Sequence, residues 1–265
     1  MQEEKTGFIE QYLIACFQPS KYGKLVKNRK STITIYTVVL LIFLVFIENG
    51  IPFAAWNVSV GGMRNMILNG IPAFYLENGE MHCDKKLDFL INGVVHVKLD
   101  ASEDEFTGAD LSSTYTQEVL ISRTNILLRS SGQVGTIKLS DLSTTRFDNQ
   151  SLADSLPGIR ILIVIYFLVA FFIKAIEYLF MALVYAVICR NSVKTPVGDM
   201  VSYSECFVIA LYAKTLFGII YSVNAALDMP VSGMLLVMLS VLVTMGIVNR
   251  AQAAILGIDY KSRRR

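Results

Sequence analysis

Four long apolar runs constrain this chain more than any other feature. A helix needs ~20 apolar residues to cross ~30 Å of hydrocarbon, and runs of that length occupy 32–55, 158–189, 205–227 and 229–249. The third is interrupted only by Lys214. Lipid offers no water to backbone N–H and C=O groups, so such runs are expected to be helices, which bond those groups internally. The chain is 53% hydrophobic and 17% charged, against ~25% charged in average soluble domains.

The cations set the expected orientation. Lys21, Lys24, Lys27, Arg29 and Lys30 precede the first run, and Arg190 and Lys194 follow the second. Arg250, Lys261, Arg263, Arg264 and Arg265 follow the fourth, whereas the turn at Asp228, Met229 and Pro230 has no cation. Short Lys- and Arg-rich segments stay cytoplasmic. The expectation is a multi-pass protein of the cell membrane, with both termini cytoplasmic and residues 56–157 outside. Acids outnumber bases in that outer segment. A cleaved signal peptide fits the first run poorly, because Pro52, Phe53, Ala54, Ala55 and Trp56 do not form a small-residue cleavage site. The +2 net charge follows the same inside-positive pattern and is no nucleic-acid footprint.

The expected fold class is therefore membrane α-helical. Four transmembrane helices carry an inserted extracytoplasmic α+β or mainly β domain between helices one and two. In order, the segments are a cytoplasmic amphipathic helix with a basic segment (1–31), helix one (32–55), the outer domain (56–157), helix two (158–189), a cytoplasmic loop (190–204), helix three (205–227), helix four (229–249) and a basic tail (250–265). In the first segment Phe8, Ile9, Tyr12, Leu13 and Phe17 recur at helical spacing before Pro19. This helix suits either the cytoplasmic leaflet or the foot of the helical bundle.

Within the outer segment, Ile71 to Leu76 and Met81 to Cys83 read as a hairpin around Asn78–Gly79. Asp88 to Leu99 reads as one strand, or two split at Asn92–Gly93. Glu118 to Arg129 and Gln133 to Leu139 read as a pair around Ser130–Ser131–Gly132, and Thr107 to Gln117 has no clear pattern. Gly61 to Leu68 reads as a short helix.

Charges inside apolar runs are costly and face partners or water. Lys174 and Glu177, three residues apart, share one face of the second helix, and Lys214 lies in the third. Counting inward from the outer ends places all three in the inner half of the bilayer. The favoured reading is a structural Glu177–Lys214 tie with Lys174 snorkelling inward, and the alternative is a path for an ion or small solute. His82, Cys83 and Asp84, with His96 and Asp100 further on, lack the paired spacing of a zinc site. Cys83 is the only outer cysteine, so no disulfide framework is expected. Nucleophile-elbow, zinc-helix and phosphate-loop motifs are absent. We therefore expect no catalytic residues, cofactor or metal. Glu103, Asp104 and Glu105 read as a solvated turn, and Asn57–Val58–Ser59 and Asn149–Gln150–Ser151 match a glycosylation pattern.

Phe17–Gln18–Pro19–Ser20–Lys21–Tyr22, Ile71 to Glu80, Glu118 to Ser122 and Ile137 to Leu142 resemble motifs of a bacterial membrane family of unknown function. Members of that family are often labelled maltodextrin utilization proteins. Ser202 to Thr215 is similar to the same family and to Yip-like four-helix membrane proteins, although Lys214 stands where a small or apolar residue is expected. The resemblance implies a non-enzymatic accessory or regulatory membrane protein associated with carbohydrate uptake. Its partners would be membrane lipid and another envelope protein, such as a sugar-uptake component, and not nucleic acid. The second expectation is a small oligomeric transporter or channel using Lys174, Glu177 and Lys214.

The orientation is directly testable. A cysteine introduced at Ser143 should react with an impermeant thiol reagent added to intact cells, while one at Ser192 should not. The opposite pattern would overturn the cation-based topology.

Overall fold

A computed structural model describes residues 6–91, 95–130, 132–142, 146–227 and 229–258. The break expected at Asn92–Gly93, Ser131, Ser143, Asp228 and the cations Lys261, Arg263, Arg264 and Arg265 lie outside the described residues. The chain divides into two compact units, 1–55 with 163–265, and 56–162.

The first unit is helical. It begins with α1 (Phe8–Phe17) and α2 (Tyr22–Val26), followed by α3 (Lys30–Val45), a π-helical turn (Phe46–Gly50) and α4 (Ile51–Ser59) in one continuous helix. The short α5 (Met63–Asn65) and α6 (Asn149–Asp154) belong with the strands to the second unit, and the first resumes within α7 (Leu156–Cys189). Then come α8 (Tyr203–Ala213), α9 (Thr215–Ala226) and α10 (Gly233–Ile255). Among the described residues, four helices are long and apolar enough to cross a membrane: Lys30–Ser59, Leu156–Cys189, Tyr203–Ala226 and Gly233–Ile255.

The bounds differ from the expected ones at informative places. The last helix runs past residue 249 to Ile255, because Ala251 and Gln252 are buried and the Gln252 amide donates to the Cys189 carbonyl at 3.1 Å. It also starts later, at Gly233. Met229 takes a left-handed φ of 55°, and Asn224 clamps Val231 by two 3.0 Å hydrogen bonds. The third helix is two segments, broken at Lys214. Tyrosines and alanines make the inner surfaces: Tyr36, Tyr178, Tyr185 and Tyr212 pack with Ala182, Ala186, Ala210 and Ala251. Small side chains let helices approach closely where burial of apolar surface from water gives no drive.

The second unit holds two sheets. β1 (Phe74–Glu77) and β2 (Glu80–Cys83) form the expected hairpin, and β8 (Phe147–Asp148) pairs with the other edge of β1. Both turn residues have positive φ, 52° at Asn78 and 80° at Gly79, as a two-residue hairpin requires. A side chain at Gly79 would also stand 2.8 Å from the Ser140 backbone.

The other sheet is ordered β3 (Leu87–Ile91), β4 (Val95–Leu99), β5 (Gln117–Ile121), β6 (Asn125–Ser130) and β7 (Gln133–Lys138). Its neighbours are antiparallel except β4 and β5, which run parallel. The stretch Glu118 to Arg129, read as one strand, is thus two. The turn at Ser122 has no Gly or Pro; the Ser122 hydroxyl instead accepts from the backbone N–H groups of Thr124 and Asn125 at 3.2 and 3.0 Å. The patternless stretch is the parallel crossover. It carries a short helical turn, capped by Thr107 and Asp110, and lays Phe106 and Leu111 over Leu120 and Leu127. The opposite face of the sheet gives Ile121 and Ile126 to a cluster with Leu76, Met81 and Leu139.

Each face of the pair β5 and β6 thus has its own apolar cover. Residues 56–162 expressed alone should unfold in one cooperative thermal transition. Leu127→Ala should lower its stability by about 2–5 kcal/mol, the usual cost of emptying a buried leucine site. A fragment without a transition would show that its fold requires the rest of the chain.

Candidate functional site

The helical unit gathers a polar group among its apolar helices, and its central member is an acid that the sequence pattern did not single out. Glu48 sits in the π-helical turn Phe46–Gly50. A π turn inserts one residue and rotates the remainder of its helix, and such turns recur at functional sites. The Glu48 carboxylate lies 2.7 Å from Lys174 Nζ and accepts from the Ser222 hydroxyl at 3.3 Å. Glu177 is the second acid beside Lys174, at 3.6 Å, but its side chain is 60% exposed whereas that of Lys174 is 13% exposed. Lys174 also lies over the Tyr221 ring at 5.3 Å. Next to Glu48, Asn49 accepts from the Tyr166 hydroxyl at 2.7 Å.

The expected Glu177–Lys214 tie does not form among the described ion pairs. Lys214 Nζ instead donates to the Tyr178 carbonyl at 2.9 Å and stands 4.3 Å from the centre of the Tyr178 ring. The break at Lys214 fixes this arrangement. The Tyr178 hydroxyl donates to the Leu211 carbonyl at 2.6 Å, and the Tyr36 and Thr215 hydroxyls lie 2.9 Å apart. The break is thereby stitched from α3 and α7. Lys174 does not snorkel away either; it is held by Glu48.

Glu48 stands about 27 Å along its helix from Lys30, at 1.5 Å per residue. The helix that carries Lys174 has 34 residues and is about 51 Å long. Two clefts flank the Glu48–Lys174 pair, of about 160 and 240 Å³, and both have Lys174 and Glu177 in their walls. Tyr178, Lys214 and Ser240 line the first, Glu48, Asn49 and Tyr166 the second.

In the strand-rich unit, a second polar group runs across four neighbouring strands. Register sets His96 of β4 opposite Glu118 of β5, and Glu118 opposite Arg129 of β6. His96 Nδ1 is 2.9 Å from Glu118, and its Nε2 is 2.9 Å from Asp88 on β3. Glu118 is only 1% exposed and also accepts from Ser112 N–H and from Arg129. Arg129 donates onward to the Ser112 and Tyr115 carbonyls, and Tyr115 stacks on His96 at 4.5 Å. A neutral imidazole has one donor and one acceptor nitrogen, so two carboxylates suit the protonated ring. Burial opposes that charge, but the hydrogen bonds that the ring donates to Glu118 and Asp88 outweigh it and raise the His96 pKa above its ordinary 6.5.

The remaining sequence candidates are dispersed. His82 stacks on Tyr75, the Cys83 thiol meets the Lys85 carbonyl at 3.2 Å, and Asp100 pairs with Lys86 at 2.6 Å. Asp104 of the acidic run pairs with Arg123. Among the described residues no three His, Cys, Asp or Glu side chains form a group that could hold a metal. Asn149 spends its amide on the fold, accepting from Phe74 N–H at 2.8 Å and donating to the Ile67 carbonyl at 2.9 Å.

These geometries have two measurable outcomes. Glu48→Gln and Lys174→Met should each lower thermal stability in detergent, and the double variant should lose less than the sum. Stranding one member of a buried pair costs ~3–5 kcal/mol in soluble proteins, and less in lipid, where water defects relieve it. Additive losses would show the two do not interact. For His96 the sign is fixed by the raised pKa: its contribution is fully present below about pH 6.5 and lost as pH rises through the folded-state value. The strand-rich unit should unfold at a lower temperature at pH 8.5 than at pH 6, and His96→Gln should flatten that slope.

Both groups lie within the span shared with a known family. A family model described as a protein of unknown function, DUF1189, matches residues 9–249. No curated protein and no solved structure matches the chain. Because the match begins within α1, ends within α10 and takes in both units, the chain belongs to the DUF1189 family.

Proposed function

We propose that this protein is a non-enzymatic accessory protein of the cell membrane. In this reading the four long helices span the bilayer with both termini cytoplasmic. The strand-rich unit lies outside, where it engages a carbohydrate or a component of its uptake. The observation that supports it is an open cleft of about 720 Å³ in that unit, within the ~300–1,000 Å³ range of ligand sites. Phe74, Tyr75 and Met81 give it apolar and aromatic wall, and Arg123, Arg146, Asp84 and Gln150 add donors and acceptors. A polyhydroxylated ligand needs that mixture, since its hydroxyls both donate and accept while its C–H faces prefer apolar contact. Maltodextrin is the first ligand to try, because the label borne by the resembling family names it.

Calorimetric titration of the purified full-length protein with linear maltodextrins should show saturable binding. Tyr75→Ala and Gln150→Ala should weaken it at least tenfold, ~1.4 kcal/mol. Pull-down in mild detergent should return a reproducible envelope partner. Absence of both binding and partner would overturn the reading.

A second reading, a small transporter, is favoured by one observation: the two clefts of the helical unit share Lys174 and Glu177. Ion or solute flux into liposomes that is lost in Glu177→Gln or Lys214→Met would support it. Absence of flux from the unmodified protein would remove it.

A further inference from the structure

We infer that α1 and the basic segment after it form a binding surface for the anionic lipid of one bilayer leaflet. The inference rests on the membrane reading of the four long helices.

α1 is apolar on two faces. Its inner face is fastened to the bundle. Gln11 is buried, donates to the Thr6 carbonyl at 3.0 Å and accepts from the Tyr212 hydroxyl at 2.7 Å, while the Tyr22 hydroxyl donates to the Ala15 carbonyl at 2.6 Å. Its outer face is open: Ile9 is 74% exposed and Phe17 66% exposed, with Leu13 between them at helical spacing. A stripe already docked on one side does not need this second stripe in order to pack. The second stripe therefore calls for an apolar medium beyond the bundle.

The level of the helix suits that medium. Phe8 packs on Tyr36 with ring centroids 5.4 Å apart, and Tyr36 lies about 9 Å along α3 from Lys30. Interfacial helices sit with their apolar face ~5–10 Å into the boundary between headgroups and acyl chains. Lys30 marks the headgroup level on this count, and the chain returns to it directly after α1. Lys21, Lys24, Lys27, Arg29 and Lys30 are all exposed, and none makes an ion pair among the described residues. Gly23 approaches Ile255 at the end of α10, and Gln252 holds the Cys189 carbonyl at the end of α7. The exposed Arg190 and Arg250 therefore belong to the same end of the unit. An apolar stripe at acyl-chain depth beside a ring of unneutralised cations is complementary to anionic lipid, not to a neutral surface.

The test places the full-length protein in nanodiscs of phosphatidylcholine alone or mixed with phosphatidylglycerol. Thermal midpoint and retained lipid, by native mass spectrometry, are the readouts. Phosphatidylglycerol should raise the midpoint and be retained preferentially, with the effect shrinking as salt is added. Lys21→Gln/Lys24→Gln/Lys27→Gln should weaken that preference about a hundredfold, near fivefold per cation, with an unchanged midpoint in phosphatidylcholine. Ile9→Ser/Leu13→Ser should reduce retention of both lipids.

The proposal is overturned by equal midpoints in both discs, or by a shift that survives the triple variant. It is also overturned if soluble glycerol phosphate reproduces the shift, which would indicate a headgroup pocket. Disulfide-linked dimers of Ile9→Cys would show a second copy on this face and overturn it as well. Failure of the unmodified chain to enter either disc would instead remove the membrane reading, and the proposal with it.

Discussion

A helix that breaks among apolar neighbours releases backbone groups that something else must bond, and the helical unit is organised around one such break. At Lys214 the ladder from α8 to α9 is interrupted. The Tyr178 hydroxyl takes up the Leu211 carbonyl, Lys214 reaches back to the Tyr178 carbonyl, and Tyr36 meets Thr215. These bonds tie α3, α7 and α8–α9 together at one level. Tyr36 packs tilted against Tyr212 with ring centroids 4.6 Å apart, and Tyr212 holds Gln11, so α1 is positioned by the same set of groups. The tyrosines here act as rigid spacers with a polar end, a use that suits an interior where an unmet hydroxyl is costly.

The π turn at Phe46–Gly50 bears on how much of the site is legible in the sequence. The four apolar runs are visible because hydropathy sums over ~20 residues and tolerates one or two polar ones. That same summation hides Glu48, a single acid in Phe46–Ile47–Glu48–Asn49–Gly50 near the end of its run. Lys174 and Glu177 are legible as neighbours because three-residue spacing is intrinsic to a helix. Which of them faces the bundle depends on helix rotation, which packing sets. Lys174 turns inward to Glu48 and Glu177 remains largely outside. Lys214 is equally visible, but its partner is a carbonyl, and backbone acceptors leave no trace in composition.

In the strand-rich unit the division between legible and illegible is sharper. The β1–β2 hairpin is readable because Asn78–Gly79 encodes its turn chemistry locally. The turn between β5 and β6 is not, since Ser122 builds it with a side-chain hydroxyl that could have done many other things. The His96–Glu118–Arg129 group is out of reach for a further reason. His96 joins Glu118 only through the parallel pairing of β4 with β5, and a parallel pair needs a crossover whose residues show no periodicity.

That polar group also argues for how the sheet finds its register. Side chains alternate faces along a strand, so a one-residue slip exchanges the faces entirely. In the native register Glu118 and Leu120 of β5 lie under the crossover, and Ile121 joins the cluster of Leu76, Met81 and Leu139. Apolar side chains alone specify this weakly, because β5 has leucine, isoleucine or valine on both faces and either set could be buried. Glu118 breaks that symmetry. Slipped by one, its carboxylate would take the place of Gln117 or Val119 on the opposite face and lose His96, Arg129 and the Ser112 N–H. The network therefore favours the native register through partners that a slip would remove. Buried polar groups have this role in other folds, where one residue fixes the register of otherwise interchangeable apolar contacts.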